Sequence, residues 1–152
     1  MALSIAVTGT RSTGHHELTW YGDLFATYLG PFATEEARFY IGGAKGVDTL
    51  ALRWIADHSS ASITVVVPGT VAEQPDEARQ AVDQYRGRIT EVVELRAPEL
   101  QSRAYHARNR YMVDRSGMVI GFPLEESESM SGTWQTLNYA AEQGKPRLIA
   151  PV

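Results

Sequence analysis

Short runs of apolar residues, most of them rich in valine and isoleucine, recur along the chain. Each is followed by turn-forming residues and then by a longer segment whose apolar positions have helical spacing. This pattern predicts β-strands over residues 3–7, 38–41, 62–67, 90–95, 117–122 and 147–150. Between them it predicts α-helices over residues 17–29, 48–58, 76–86, 101–114 and 133–143. The chain is therefore expected to alternate strand and helix throughout.

This alternation predicts the type of sheet. Strands joined by helical crossovers run parallel, and runs such as TVVV (residues 64–67) are apolar on both faces, as in a sheet covered by helices on both sides. We expect one domain, residues 1–152, with an open, doubly wound α/β fold and a mostly parallel sheet of about six strands. Ligands of such sheets bind beyond the carboxyl ends of the strands, so binding residues should follow the strands.

The composition excludes several classes of protein. With 43% hydrophobic and 21% charged residues, the chain has the usage of a packed globular protein. It contains no cysteine, which excludes disulfides, thiolate metal sites and cysteine nucleophiles. No apolar run reaches the roughly 20 residues of a membrane span, and the start lacks a signal-peptide pattern, so we expect a cytoplasmic protein without a membrane partner. The formal net charge of −4 disfavours binding of long nucleic acids.

The segment IGGAKGVD (residues 41–48) follows the second predicted strand and leads into a helix. Gly42, Gly43 and Gly46 can adopt positive φ, and they carry no side chain that would keep a ligand from the backbone. The N–H groups at the start of the following helix point to the same place, as in a phosphate-binding loop. The spacing differs from the Walker motif and from the dinucleotide motif GxGxxG.

Two charged residues belong to this segment. Lys45 would add a positive charge beside a bound phosphate. Asp48 stands where the helix is predicted to begin, so its expected role is to cap the helix N-terminus. A second interpretation makes Asp48 an acceptor for a ribose hydroxyl or a catalytic acid or base, and it is the one weak candidate for a catalytic residue.

Loops of similar composition follow the first and fifth predicted strands. Small and hydroxyl-bearing residues leave backbone N–H groups accessible there, and an arginine can donate two hydrogen bonds to a phosphate. In the second of these loops, the alternative role of a hydroxyl is to cap the helix. The expected binding residues are Gly9, Thr10 and Arg11 in the first loop, and Ser131, Gly132 and Thr133 in the second.

The predicted fourth helix contains the run Arg108, Asn109, Arg110. A helix turns by about 100° per residue, so the two arginines point in different directions and cannot both serve one small ligand. We expect Arg108, with Asn109, to bind phosphate or nucleic acid, and Arg110 to form an ion pair, for example with Asp114. Three such loops and several cations at one sheet edge favour a bound small molecule that carries phosphate.

Four segments, TGTRS, IGGAKGVDTLA, HARNRYMVDRSGMVIGF and SGTWQTLNYAAEQGKPRLI, occur in the order and spacing of the DprA-like members of the SLOG superfamily. The chain resembles those proteins from about Thr8 to Ile149. The superfamily includes Rossmann-like nucleotide-binding proteins related to DNA-processing protein A and to the LOG phosphoribohydrolases. The resemblance implies a parallel Rossmann-like sheet, a nucleotide or nucleotide-derived ligand at the glycine loops, and a homodimer or higher homo-oligomer.

The resemblance also implies two alternatives. LOG enzymes cleave the N-glycosidic bond of a nucleoside monophosphate with the motif PGGxGTxxE, but Thr136 stands in place of its glutamate and can supply neither a charge nor a base. Another carboxylate, Asp48 or one of Glu125, Glu126 and Glu128, would have to replace it. DNA-processing protein A loads a recombinase onto single-stranded DNA, and residues 108–110 match its motif. Against this alternative, the chain is acidic, and we expect no room in it for the accessory domains usual in that family.

The leading hypothesis is therefore a stand-alone DprA-like SLOG domain that binds a nucleotide-derived molecule as its sensor or carrier. A nucleotide hydrolase and a single-strand-binding protein are the alternatives. No metal is expected, because His15 and His16 are adjacent and point apart. Packing is the expected role of Tyr105, Tyr111 and Trp134, with base stacking as the alternative.

Overall fold

A computed structural model describes residues 2–124 and 131–152 of the chain. Its strands are β1 (Ser4–Gly9), β2 (Arg38–Gly42), β3 (Ser62–Val67), β4 (Glu91–Glu94), β5 (Met118–Phe122) and β6 (Arg147–Ile149). Its helices are α1 (Leu18–Tyr28), α2 (Val47–His58), α3 (Asp76–Gln84), α4 (Ser102–Asp114) and α5 (Gly132–Glu142). All the predicted strands and helices are confirmed, with ends that agree or differ by one or two residues. Short 3-10 helices at Gly30–Phe32 and Val71–Glu73 were not predicted.

The six strands form one sheet in the order β4-β3-β2-β1-β5-β6, and every neighbouring pair is parallel. The expected doubly wound α/β fold is therefore confirmed. β1 lies at the centre, where Val7 pairs with Ile41 of β2 on one side and with Ile120 of β5 on the other. The order of the strands reverses between β1 and β5, and the loops that leave these two strands open a crevice at this point.

Helices cover both faces of the sheet because successive strand residues point to opposite sides. On one face, α1, α2 and α3 pack over one core, to which Phe25 and Ile55 contribute fully buried side chains. On the other face, α4 and α5 pack over a second core that includes Met112 and Leu137. None of the helices in the described ranges is both long and apolar enough to cross a membrane.

A lysine fixes the end of α4. Lys145 Nζ donates hydrogen bonds to the carbonyl oxygens of Val113 (2.7 Å), Asp114 (3.1 Å) and Ser116 (2.7 Å). Carbonyl groups at a helix C-terminus have no partner within the helix, and a cation there is favourable to the helix dipole. The contact ties the segment before β6 to α4, the helix that carries Tyr105, Arg108 and Asn109.

Two glycines allow the start of α2 to approach the end of β1. A Cβ atom on Gly9 would collide with the side chain of Val47. A Cβ atom on Gly46, which has a φ of 80°, would lie 2.6 Å from both Thr10 O and Arg11 Cα. Val47 N donates a hydrogen bond of 3.0 Å to Thr10 O across this contact. The loop after β1 is therefore held against the N-terminus of α2.

Candidate functional site

A cleft of about 860 Å³ lies beyond the carboxyl ends of β1 and β5, where the order of the strands reverses. The loop after β1, the N-terminal half and inner face of α4, and the N-terminus of α5 form its walls. In doubly wound folds this is the position at which ligands bind. The volume lies within the range of small-molecule sites, roughly 300–1,000 Å³.

The cleft brings together most of the residues that the sequence indicated. Nine of them line it: Gly9, Thr10, Arg11, Asp48, Arg108, Asn109, Ser131, Gly132 and Thr133. Gly42, Gly43, Lys45 and Gly46 are not among the lining residues, and from their loop only Ala44 reaches the cleft. The loops after β1 and β5 thus contribute to the wall as expected, whereas most of the loop after β2 lies behind it.

Backbone amides of the glycine-rich loop after β2 donate hydrogen bonds to other groups of the protein. Three of them donate hydrogen bonds: Ala44 N to Asp48 Oδ2 (3.3 Å), Gly46 N to Glu77 Oε1 (3.4 Å) and Val47 N to Thr10 O (3.0 Å). Of the loop's three glycines, only Gly46 has a positive φ. The loop therefore differs from the open phosphate cradle that its composition suggested.

Gly42 and Gly43 are required by neighbouring side chains. A Cβ atom on Gly42 would lie 2.5 Å from Arg108 Nη1 and 2.7 Å from Asp48 Oδ2. A Cβ atom on Gly43 would lie 2.6 Å from Val67 Cγ1. The missing side chain of Gly42 thus makes room for two charged groups that approach it from different helices.

Asp48 does not occupy the position that the sequence suggested. The prediction that it caps α2 is wrong, because Gly46 holds the N-cap position and Asp48 lies inside the first turn of the helix. The positive φ of Gly46 turns the chain into the helix before Asp48 is reached. Asp48 as a residue is 6% exposed, and it lines the cleft.

Arg108 lies beside Asp48 at the floor of the cleft and is 5% exposed. Its Nε donates to Asn109 Oδ1 at 2.7 Å, and its Nη1 donates to Val66 O at 3.5 Å. Burial raises the pKa of Asp48 to about 7, although the charges of Arg108 and Arg11 and the amide of Ala44 oppose the rise. Burial lowers the pKa of Arg108, and the carboxylate of Asp48 opposes that shift. The floor therefore holds a buried carboxyl group and a buried guanidinium group that both approach Gly42.

Tyr105 connects this floor to the rim of the cleft. Its ring centroid lies 5.9 Å from Cζ of Arg108 and 5.1 Å from Cζ of Arg11, which is exposed at the rim. Both distances fall within the range of cation–π contacts. Tyr105 precedes Arg108 by one helical turn and so shares its face of α4, which is the signal that favours a place in the site over the core.

The first turn of α5 forms another wall. Ser131 is the N-cap of this helix, and its hydroxyl accepts a hydrogen bond of 3.3 Å from Trp134 N, so the alternative role of helix cap is confirmed for Ser131. Gly132 and Thr133 follow, and backbone N–H groups at such positions lack partners within the helix. Trp134 packs in the second core and also lines the cleft.

Thr136, which stands in place of the LOG glutamate, points into its own helix. It is 1% exposed, and its hydroxyl donates a hydrogen bond of 2.9 Å to Gly132 O. It is not among the residues that line the cleft. Glu125, Glu126 and Glu128, the other carboxylates considered for its role, lie outside the described residues.

Arg110 points away from Arg108, as predicted, and lies in a groove on the outer side of α4 and α5. Its Cζ lies 5.6 Å from the ring centroid of Tyr139. The ion pair suggested with Asp114 does not form, because Asp114 Oδ1 accepts a hydrogen bond of 2.6 Å from Tyr139 Oη. The groove has a volume of about 340 Å³ and shares three lining residues with the cleft: His106, Asn109 and Gln135.

Local sequence patterns did not identify several residues of the cleft wall. They are Leu100, Gln101, Ser102, His106, Met112 and Gln135. Four of them, Gln101, Ser102, His106 and Met112, lie at the start or on the inner face of α4, a helix that packs across β2 and β3 rather than beside its own strands. Only the path of α4 over the sheet brings them to the cleft.

The two adjacent histidines lie outside this cleft. His16 stacks on Trp20 with ring centroids 3.6 Å apart. Across residues 2–124 and 131–152, no group of three histidine or acidic side chains could hold a metal ion.

Comparisons with known proteins agree with the fold. The family described as DNA recombination-mediator protein A matches over residues 1–152. Among solved structures, the chain is similar to DNA processing protein A from Helicobacter pylori, a structure that concerns the single-stranded DNA binding mode of that protein. The TM-score is 0.69 and the identity 20%, over 99% of this chain and 66% of that chain. This chain thus spans about two thirds of that relative, and no curated protein matches it.

Proposed function

The chain belongs to the family of DNA recombination-mediator protein A, and from this premise we propose that its cleft binds a nucleotide or a nucleotide-derived molecule through a phosphate group. The observation that carries the proposal is the meeting of Arg11 with the N-terminus of α5 on the walls of one cleft between β1 and β5. The protein would act as a sensor or carrier of the bound molecule.

The phosphate is assigned to the rim of this cleft. Arg11 is exposed there, and its guanidinium can donate paired hydrogen bonds to phosphate oxygens. Gly132 and Thr133 begin α5, whose N-terminal end carries a partial positive charge. Gly9 and Thr10 keep the nearby backbone free of large side chains. Tyr105 and Trp134 offer aromatic surfaces for the remainder of a nucleotide.

Equilibrium binding tests the proposal directly. The purified protein is titrated with nucleoside monophosphates, ADP-ribose, cyclic dinucleotides and a short single-stranded oligonucleotide, and native mass spectrometry reports the bound mass and the number of subunits. A retained, intact nucleotide supports a sensor or carrier. Release of free base would replace this proposal with a hydrolase, and binding of none of these compounds would remove it. A doubled mass would support the homodimer.

Arg11→Ala is expected to weaken nucleotide binding about tenfold or more, because it removes a charged donor to phosphate. The melting temperature of the unliganded protein should not change, since Arg11 is exposed. Arg86→Ala is the matched control: Arg86 is also an exposed arginine, but its partner is Asp83 on α3, outside the cleft. Equal affinities for Arg11→Ala and the wild-type protein would remove Arg11 from the phosphate site.

Single-stranded DNA is the second candidate ligand. The observation that favours it is the groove that continues from the cleft along α4 and α5, where Arg110 lies beside Tyr139. A strand whose one nucleotide occupies the cleft could extend along this groove, with a phosphate near Arg110 and a base on Tyr139. The relative from Helicobacter pylori, which binds single-stranded DNA, supports this candidate.

Arg110→Ala is expected to weaken binding of an eight-residue oligothymidylate several-fold and to reduce the salt dependence of that binding by about one phosphate contact. Binding of a single nucleotide should stay the same. Arg115→Ala is the control, because Arg115 also lies over a tyrosine ring, that of Tyr111, but just beyond the far end of α4. If the two variants bind the oligonucleotide alike, the groove does not carry the strand.

A further inference from the structure

The floor of the cleft contains two hydrogen-bonding atoms without a partner. Asp48 and Arg108 are both more than nine-tenths buried and both line the cleft. Within the described residues, Asp48 accepts a hydrogen bond only at Oδ2, and Arg108 donates only from Nε and Nη1. Asp48 Oδ1 and Arg108 Nη2 therefore lack hydrogen-bond partners. Neither atom is among the side-chain atoms that are both inaccessible to solvent and without a hydrogen bond, so both are accessible. A ligand in the cleft can reach them.

The charges at this floor do not suit a phosphate. The guanidinium of Arg108 already faces the carboxyl group of Asp48, and each lies within 3 Å of the position that a Gly42 side chain would occupy. A phosphate placed on Arg108 would approach the carboxylate of Asp48, and like charges at short range are costly when both are buried. A neutral group that offers an acceptor beside a donor satisfies both free atoms and adds no charge.

We propose that Asp48 and Arg108 read the edge of a nucleobase, and that the phosphate remains at the rim with Arg11. This assignment rests on the proposed function. Arg108 Nη2 donates to a ring nitrogen or carbonyl oxygen of the base, while Asp48 Oδ1 accepts from the neighbouring N–H or amino group. Each of the common bases presents such an acceptor and donor side by side on its pairing edge.

Tyr105 supports a base in this position. Its ring lies beside Arg108 and lines the same cleft, so a base with its edge at the floor has an aromatic face beside it. Stacking of bases on aromatic rings tolerates every base, whereas hydrogen bonds to the base edge discriminate between them. The floor pair is therefore the part of the site that sets base preference.

A substitution at Gly42 can displace the side chains of Asp48 and Arg108 while both residues stay in the protein. An alanine methyl group at this position would overlap Arg108 Nη1 and Asp48 Oδ2, both of which are ends of flexible side chains. Gly42 lies in β2, and its backbone does not have a positive φ. Gly42→Ala should therefore fold and displace the two groups, whereas Asp48→Asn keeps the geometry and replaces a pure acceptor with an amide that also donates.

The test combines these variants with a set of defined probes. Affinities of the wild-type protein, Asp48→Asn and Gly42→Ala are measured by isothermal titration calorimetry at pH 8 for 5′-GMP, 5′-AMP, 5′-UMP, ribose 5-phosphate and inorganic phosphate. Both variants should bind the preferred nucleotide about tenfold more weakly, because a buried polar atom is left unsatisfied. Binding of ribose 5-phosphate and inorganic phosphate should change less than twofold. Asp48→Asn should also alter the order of preference among the three nucleotides.

Three results would overturn the assignment. An equal change for ribose 5-phosphate and for the nucleotides would mean that the floor holds the sugar or the phosphate, although the proposed function would stand. An unchanged order of preference and unchanged affinities in both variants would mean that the floor touches no ligand. If the wild-type protein binds no nucleotide, the proposed function fails and this assignment fails with it. Thermal melting of each variant establishes folding, and Gly42→Ala tests the floor independently of Asp48→Asn.

Discussion

Gly46→Ala is expected to destabilise the protein by about 3 kcal/mol or more, one of the two largest effects that the structure predicts. The residue has a φ of 80° and a ψ of −129°, a conformation that side-chain-bearing residues rarely adopt. A Cβ atom there would also lie 2.6 Å from Thr10 O and Arg11 Cα, which are backbone atoms and cannot rotate away. The variant must therefore separate the loop after β1 from α2.

Gly144→Ala is the matched control for this prediction. Gly144 has a φ of 71°, but a Cβ atom on it would meet no atom within 4 Å. Only the conformational strain remains, and we expect a loss of about 1 kcal/mol. Urea denaturation of both variants gives the free energies of unfolding. Equal losses in the two proteins would mean that the contact between Gly46 and the loop after β1 contributes nothing to stability.

Arg108→Met is expected to destabilise the protein by about 3 kcal/mol at pH 8, since it leaves the carboxylate of Asp48 buried without the buried cation beside it. The loss should be about 1 kcal/mol smaller at pH 6, since the pKa values of the two proteins differ in their effect only above about pH 7. Burial raises the pKa of Asp48 to about 7, above that of an unfolded chain, so the stability linked to this group is complete at acidic pH and declines as the pH rises towards 7. Without Arg108 that pKa rises further, and the decline extends to higher pH.

The dependence on pH separates charge from packing. Free energies of unfolding of the wild-type protein and of Arg108→Met are measured at pH 6 and pH 8. The double variant Asp48→Asn/Arg108→Met has neither charge, and it should recover most of the stability at pH 8. A loss that is the same at both pH values, and that the double variant does not recover, would show that Arg108 acts through its packing alone.

The strands and helices could be predicted closely because their signals are local. Apolar runs followed by turn residues mark each strand, and the crossover lengths require parallel pairing, so the sheet followed from the order of the elements. Arg11 and Ser131 lie in loops that follow central strands. The rule that ligands of open sheets bind beyond the carboxyl ends of the strands was sufficient to predict that these two residues line one cleft. Their roles towards a ligand stay predictions.

The role of the glycine loop after β2 could not be predicted from local sequence in the same way. A glycine is compatible with an open backbone and equally with a position that another part of the chain fills. Gly42 is of the second kind, since Arg108 from α4 occupies the space beside it. Asp48 was misplaced because an N-cap prediction counts from the start of the helix, and the φ of Gly46 moves that start. Both outcomes depend on contacts distant in sequence.

The central position of β1 also determines the order in which the site can be assembled. β1 pairs with β2 early in the chain, but its other edge pairs with β5, as in the register of Ile5 with Met118. During synthesis, which proceeds from the N-terminus, that edge stays unpaired until β5 emerges, and an open strand edge is prone to wrong pairing. The loop that carries Arg11 is therefore made long before the sheet is complete. The cleft can form only after α5, which supplies one of its walls, has left the ribosome.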